Sequence, residues 1–252
     1  MNEISTITEL SSQSHRMSIP GLDAWLNAVQ GQYILDWEQS ALDELVTDIF
    51  GFNALQIGFP RVDFLRTNRI PLRQKACALP GGDVLCDETA LPFASHSIDL
   101  VVMPHVLEFS IDPHQILREV ERILIPEGQL IIVGFNPFSL WGLKQRINRS
   151  GVFPWNGRYI PLARLKDWLQ LLAFEVDRGT HGCYVPPFEQ KKWLHRWHFM
   201  ESTGDRSWNF AGAIYIVRAI KRVHGMRLIT PAWKKSPVGA KALRPIAQKG
   251  RQ

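Results

Sequence analysis

A strand, a helix and a second strand follow one another in the middle of this chain, and that succession limits its fold more than any other feature. Ser97-Ile98-Asp99-Leu100-Val101-Val102-Met103 reads as a strand. Asp112-Pro113 then starts a helix, with Asp as the N-cap and Pro at the first helical position, where a missing N–H costs nothing. Ile116, Leu117, Val120, Ile123 and Leu124 fall on one stripe of that helix, and Arg118, Glu119, Glu121 and Arg122 on the other. Pro126-Glu127-Gly128 turns the chain, and Gln129 to Val133 follows as an almost wholly apolar strand. Such a run fits a strand covered on both faces, as in a parallel sheet. The unit is βαβ, its crossover is expected to be right-handed, and the fold class is α/β.

The flanking sequence extends this reading. Helical spacing begins after Gly21 with Leu22, Trp25, Leu26 and Val29. A second helix carries Ile34, Trp37, Ala41, Leu45 and Ile49 on one face and is expected to end at Gly51. Ala54-Leu55-Gln56-Ile57-Gly58 reads as a buried strand, with shorter strands near 75–78 and 83–86. Asn136 to Gly157 is rich in Trp, Phe, Gly, Arg and Lys. A helix is predicted over about 161–173, strands from Phe174 and over 213–219, and a helix from Pro186-Pro187 to about Ser202. Residues 1–18 read as a disordered start, 19–232 as one domain and 233–252 as a disordered basic tail.

Composition excludes several classes. With 45% hydrophobic and 21% charged residues in 252, the chain holds enough apolar surface to offset chain entropy. The longest apolar stretch, Ile123 to Phe135, is broken by Pro126, Glu127, Gly128 and Gln129, so no transmembrane segment is expected. No secretory signal is read at the N-terminus. Cys77, Cys86 and Cys183 form no Cys-x-x-Cys pair, which argues against a disulfide framework and a metal site and for a reducing, cytoplasmic setting. The net charge of +5 comes from the tail: Lys234, Lys235, Lys241, Arg244, Lys249 and Arg251 stand there without an acid, so residues 1–232 are close to neutral.

Four segments carry the chemistry: Leu55-Gln56-Ile57-Gly58, Asp87-Glu88-Thr89-Ala90-Leu91-Pro92-Phe93, Ser97 to Val102, and Leu117 to Gly128 with its Arg122-Ile123-Leu124-Ile125-Pro126-Glu127-Gly128 ending. In this order and spacing they resemble the class I S-adenosylmethionine-dependent methyltransferases, in particular the type 11 branch. The resemblance covers residues 50–135 well, and 162–220 only in the order of strand and helix. It implies a Rossmann-like, mostly parallel seven-stranded sheet flanked by helices, with N-terminal helices and a decorated C-terminal half. It also implies S-adenosylmethionine as cofactor and methyl transfer to an acceptor, expected to be a small-molecule substrate. Gln56, Gly58, Asp87, Glu88 and His105 are the residues it places at the cofactor. Asp87 would accept from the adenine amino group beside Leu91 and Phe93, and His105 is the candidate catalytic residue.

The sequence departs from the family at two anchors. The family's first strand ends acid-x-Gly-x-Gly, and here Gln56 takes the acid position while Phe59-Pro60 follows Gly58. Residues 73–80 hold no acid where a ribose-binding one is expected. The alternative reading is therefore a catalytically inactive methyltransferase-fold binding or scaffold protein. A nicotinamide-dependent oxidoreductase is disfavoured by the missing Gly-x-Gly-x-x-Gly. Trp193 and Trp197, one turn apart among Lys191, Lys192, His195, Arg196 and His198, read as an amphipathic helix or a lid. The basic tail is a candidate contact for RNA or an anionic membrane. The oligomeric state and the acceptor are not encoded in any motif.

Overall fold

The structure, a computed structural model, describes residues 21–78, 80–148, 151–188, 192, 196 and 209–222. In chain order its elements are α1 (Leu22–Leu26), α2 (Val29–Thr47), β1 (Asn53–Ile57), β2 (Leu72–Cys77), β3 (Val84–Leu85), β4 (Ile98–Pro104), α3 (Pro113–Ile123), β5 (Leu124–Phe135), α4 (Leu140–Ile147), α5 (Leu162–Leu171), β6 (Phe174–Gly182) and β7 (Ile214–Lys221). A short 3-10 turn, Asn209–Ala211, precedes β7.

The βαβ unit forms as read. β4 and β5 are parallel, paired from Leu100 with Gln129 to Pro104 with Val133. Between them α3 is capped by Asp112, whose side chain accepts from Gln115 N, and buries Ile116, Leu117, Val120 and Ile123. The seven strands are ordered β3-β2-β1-β4-β5-β7-β6, and β7 runs antiparallel to both β5 and β6. Strand order reverses between β1 and β4. In an open α/β sheet that point leaves a crevice beyond the carboxyl ends of the strands, where ligands bind.

Side chains alternate across the sheet and so divide the core in two. Leu100 and Val102 of β4 pack with Ile34, Leu42 and Val46 of α2 and with Trp141 of α4. Val101 and Met103 pack on the other face with α3 and with Leu165 and Leu169 of α5.

Four details differ from the sequence reading. The buried stripe of α2 is Gln30, Ile34, Glu38, Leu42 and Val46, rotated from the predicted face, and it includes a carboxylate. α2 stops at Thr47 rather than at Gly51, and a Cβ on Gly51 would collide with the Asp99 side chain. Asp99 needs that room because its Oδ2 accepts from Phe52 N at 3.0 Å and Asn53 N at 2.9 Å, fixing the start of β1. Pro126-Glu127-Gly128 is not a turn between elements but an irregularity inside β5. The strand pairs at Leu124, shifts register, resumes at Gln129, and holds Glu127 at φ 64°. Finally, α4 forms in the aromatic-rich stretch to which no element was assigned, with Ser139 accepting from Gly142 N as its cap. The readings of 1–18, of the basic tail and of most of the Pro186–Ser202 helix fall outside the described residues.

Candidate active site

The crevice begins where β1 ends. Gly58 sits at φ +81°, and its N–H donates to Ala76 O at 2.9 Å. A Cβ there would lie 2.7 Å from Val106 Cγ2, so both the backbone conformation and the space call for glycine. Phe59 follows at φ 47°, buried, with its ring 5.6 Å from that of His105.

Gln56 explains how this loop is held. Its side chain is fully buried, and Nε2 reaches Gly58 O at 3.1 Å, Phe59 O at 3.0 Å and Val62 O at 2.9 Å. Oε1 accepts from Phe64 N at 3.0 Å. A carboxylate has no donor to offer three carbonyl oxygens. This loop conformation therefore requires the amide where the family pattern has an acid.

Beyond β3 the two acidic residues take different places. Asp87 is exposed, and its Oδ1 accepts from Thr89 N at 2.8 Å and Thr89 Oγ1 at 2.7 Å, an Asx-type turn. Oδ2 has no protein partner among the described residues. Glu88 is half-buried and accepts the backbone N–H of Ala78, just past the end of β2. Burial pushes its carboxyl up to about 7, against the Ala78 hydrogen bond, and the Asp87 charge adds to the rise. The Leu91-Pro92-Phe93 segment is tied to α3. Leu91 N donates to Glu119 Oε2 at 3.0 Å, and Arg122 donates to Leu91 O at 2.9 Å and to Phe93 O at 2.8 Å. Arg122 in turn pairs with Glu119 at 2.8 Å.

At the ends of β4 and β5 the site turns inward. His105 is 1% exposed, lies at φ 52°, and donates its backbone N–H to Val133 O at 2.9 Å. Its Nε2 is 2.6 Å from Glu38 Oε1 and its Nδ1 3.4 Å from Glu108 Oε1. Burial opposes a charge on the ring, but the two carboxylates outweigh it and push His105 up to about 10. Glu108 Oε1 also accepts from Phe135 N at 2.6 Å, while Glu108 Oε2 is buried without a partner. Phe135 packs on His105 with ring centroids 4.4 Å apart and tilted by 32°, and stacks on Tyr159 at 4.9 Å. The Tyr159 hydroxyl is likewise buried and unpartnered, and burial together with the Glu108 charge raises its pKa. Tyr159 also lines a cleft of about 390 Å³ with Leu107, Ile111, Arg158 and Trp168.

The structure thus brings Gly58 and His105 together through Phe59 and Val106, and sets Asp87 and Glu88 at the neighbouring strands. Both nitrogens of His105 face carboxylates. Glu38, Glu108 and Tyr159 were not singled out from the sequence. A signal for Glu38 was present, because an acid lies on the i, i+4 row between Ile34 and Leu42.

Residues 67–132 match the profile of the methyltransferase domain family. The Escherichia coli K12 protein YafS, itself uncharacterized, is 33% identical over 175 residues, which are 65% of this chain and 70% of YafS. The chain belongs to the class I methyltransferase family, in its type 11 branch. Two solved structures share its Rossmann-like fold. A chain from the complex of the Haloferax volcanii Trm112 methyltransferase activator with a methyltransferase aligns with a TM-score of 0.59 at 15% identity, over 82% of this chain and 99% of that one. A SAM-dependent methyltransferase of Thermotoga maritima aligns with a TM-score of 0.54 at 19% identity, over 76% and 97% of the two chains.

In this member of the family the residues present fit S-adenosylmethionine, the family's cofactor, at its nucleoside end. Glu88 and Asp87 Oδ2 are acceptors suited to hydroxyl and amino donors, and Leu91 supplies a buried apolar neighbour. At the amino-acid end, Gln56 has its amide committed to the loop. No helix among the described residues is long and apolar enough to cross a membrane.

Proposed function

We propose that this chain is an S-adenosylmethionine-dependent methyltransferase acting on a small-molecule acceptor. The observation that carries the reading is Glu88. It supplies, from beyond β3, a carboxylate at the end of β2, where the chain has no acid of its own. In this reading Glu88 holds the ribose hydroxyls, Asp87 Oδ2 accepts from the adenine amino group, and the Gly58 bend lets the backbone approach the ligand. When bound, S-adenosylmethionine supplies an already activated methyl group on a sulfonium. The protein's task is then to place an acceptor in line with it and to keep water out, and such positioning is worth several kcal/mol. His105 serves here as a positioning residue for Glu108, since both its nitrogens are engaged.

A second reading, a scaffold that transfers nothing, draws on the Gln56-braced loop and on Pro60 standing where the family has its second glycine. Methyl-labelled S-adenosylmethionine incubated with the protein and a metabolite extract separates the two. Transfer is expected in the small-molecule fraction, and label in no fraction favours the scaffold.

A further inference from the structure

Two buried polar groups beside Phe135 have no partner among the described residues: Glu108 Oε2 and the Tyr159 hydroxyl. Arg158 N donates to Glu108 O at 2.8 Å, which sets Tyr159 beside Glu108, yet the two side chains do not bond each other. An unpaired carboxylate oxygen in an apolar site carries a desolvation cost of about 1–3 kcal/mol or more, so native proteins rarely leave one without a ligand or water to meet it. Glu108 itself is 3% exposed, and its other oxygen is fixed by Phe135 N. The carboxylate therefore cannot swing out to solvent without breaking that bond.

The charge of the cluster narrows what the ligand is. Two carboxyl groups, Glu38 and Glu108, face a single imidazole, His105, so the cluster offers more acid than base. No Lys or Arg among the described residues is ion-paired to Glu38 or Glu108. The walls are aromatic. Phe135 packs between His105, whose ring is tilted 32° to it, and Tyr159, and Trp25 meets the edges of Phe135 and Phe153, with its own Nε1 buried and unpartnered among the described residues. Aromatic walls beside a carboxyl group suit a cation better than an anion. An anionic acceptor would meet net repulsion in a low-dielectric site. Tyr159 is shared with the 390 Å³ cleft, so the pair lies one side chain from a surface opening.

We infer that the Glu108–Tyr159 pair binds the amino group of the methyl acceptor, which is an amine carried on an aromatic or apolar body. The inference rests on the methyltransferase reading above. The ammonium N–H groups donate to Glu108 Oε2 and to the Tyr159 oxygen. One N–H proton passes to Glu108, and the freed nitrogen lone pair forms the new N–C bond. The C–S bond breaks with its electron pair left on sulfur, and the product is the protonated methylamine beside a neutral thioether. His105, kept charged by Glu38, holds Glu108 in place throughout.

The test compares three probes of one shape: phenethylamine, 2-phenylethanol and 3-phenylpropionate, titrated by ligand-observed NMR with and without S-adenosylhomocysteine. The amine is expected to bind best and the acid worst. Glu108→Gln is expected to weaken the amine by about tenfold or more, the usual loss at a desolvated charge pair, while changing the alcohol little. Because Glu108→Gln also touches Phe135 N, Tyr159→Phe is the second variant. It removes one buried oxygen, leaves the ring stack, and is expected to weaken the amine by about threefold to tenfold. Equal affinity for the three probes, preference for the alcohol or the acid, binding of none of them, or insensitivity of the amine to both variants would overturn the inference. Binding of S-adenosylhomocysteine with no preference for the amine removes the inference alone. Preference for the amine without S-adenosylhomocysteine binding removes the methyltransferase reading instead.

Discussion

His105 Nε2 lies 2.6 Å from Glu38 Oε1, and neither side chain is more than 2% exposed. The contact joins the N-terminal helix α2 to the end of β4 and makes the helix part of the site. The pair also stabilises the fold in a pH-dependent way. Burial disfavours the imidazolium, but Glu38 and Glu108 override it, so the folded-state value rises from 6.5 to about 10. A raised value means that the folded protein holds the proton more tightly than the unfolded chain. The stabilisation is complete below pH 6.5 and is lost as pH climbs through 10. Glu38→Gln is expected to cost about 3 kcal/mol or more at pH 6, as removal of one member of a buried pair does. Urea unfolding of both proteins from pH 6 to pH 10 checks this, and the gap between them is expected to narrow with rising pH.

Gln56→Glu restores the family's acid but is expected to harm the protein. The carboxylate would face Gly58 O, Phe59 O and Val62 O, all of which now accept from the amide. A loss of about 2–4 kcal/mol is expected from a buried group left unpaired against three acceptors. S-adenosylhomocysteine affinity is expected to fall rather than rise. Tighter binding by this variant would mean that Gln56 is a weakened cofactor ligand rather than a brace for the loop.

Gly58→Ala separates two costs at one position. The left-handed backbone at φ +81° strains any other residue, and the added Cβ meets Val106 Cγ2 at 2.7 Å. Each effect is worth about 1–3 kcal/mol. Thermal unfolding of Gly58→Ala and of its combination with Val106→Ala, each against its own parent, is expected to show that the second substitution removes the steric part only.

Glu88 predicts how cofactor binding follows pH. Its carboxyl titrates near 7, raised by burial and by Asp87. Hydroxyl donors prefer the ionised form, so affinity for S-adenosylhomocysteine is expected to rise with pH through 7 and to level off above it. Below that point the loss approaches about tenfold per pH unit, the limit for one required ionisation. Glu88→Gln is expected to flatten the profile when both proteins are titrated from pH 5.5 to pH 8.5.

Much of the scaffold was legible because local and tertiary signals agreed. Asp112-Pro113 marks a helix start in sequence and in structure, and the apolar run from Gln129 becomes a strand paired on both sides. The site was less legible, because its polar residues lie where pattern reading looks for core. Glu38 sits on the buried stripe of α2, and Glu108 is fixed by Phe135 N, 27 residues along the chain. Gly51 was misleading for a related reason. Its lack of a side chain serves Asp99, 48 residues away, rather than the end of its own helix. The turn residues Pro126-Glu127-Gly128 were absorbed into β5 because the strand continues pairing on both sides of them.

The central claim is that the edge formed by Gly58, Asp87 and Glu88 binds the adenosyl cofactor. Calorimetric titration of the full chain with S-adenosylhomocysteine at pH 8 tests it most directly, with Asp87→Ala and Glu88→Gln alongside. The account predicts saturable binding to one site, weakened in each variant by about 1–3 kcal/mol, the usual worth of a hydrogen bond to a charged group. Absence of binding at millimolar ligand, or binding that neither variant weakens, would contradict it.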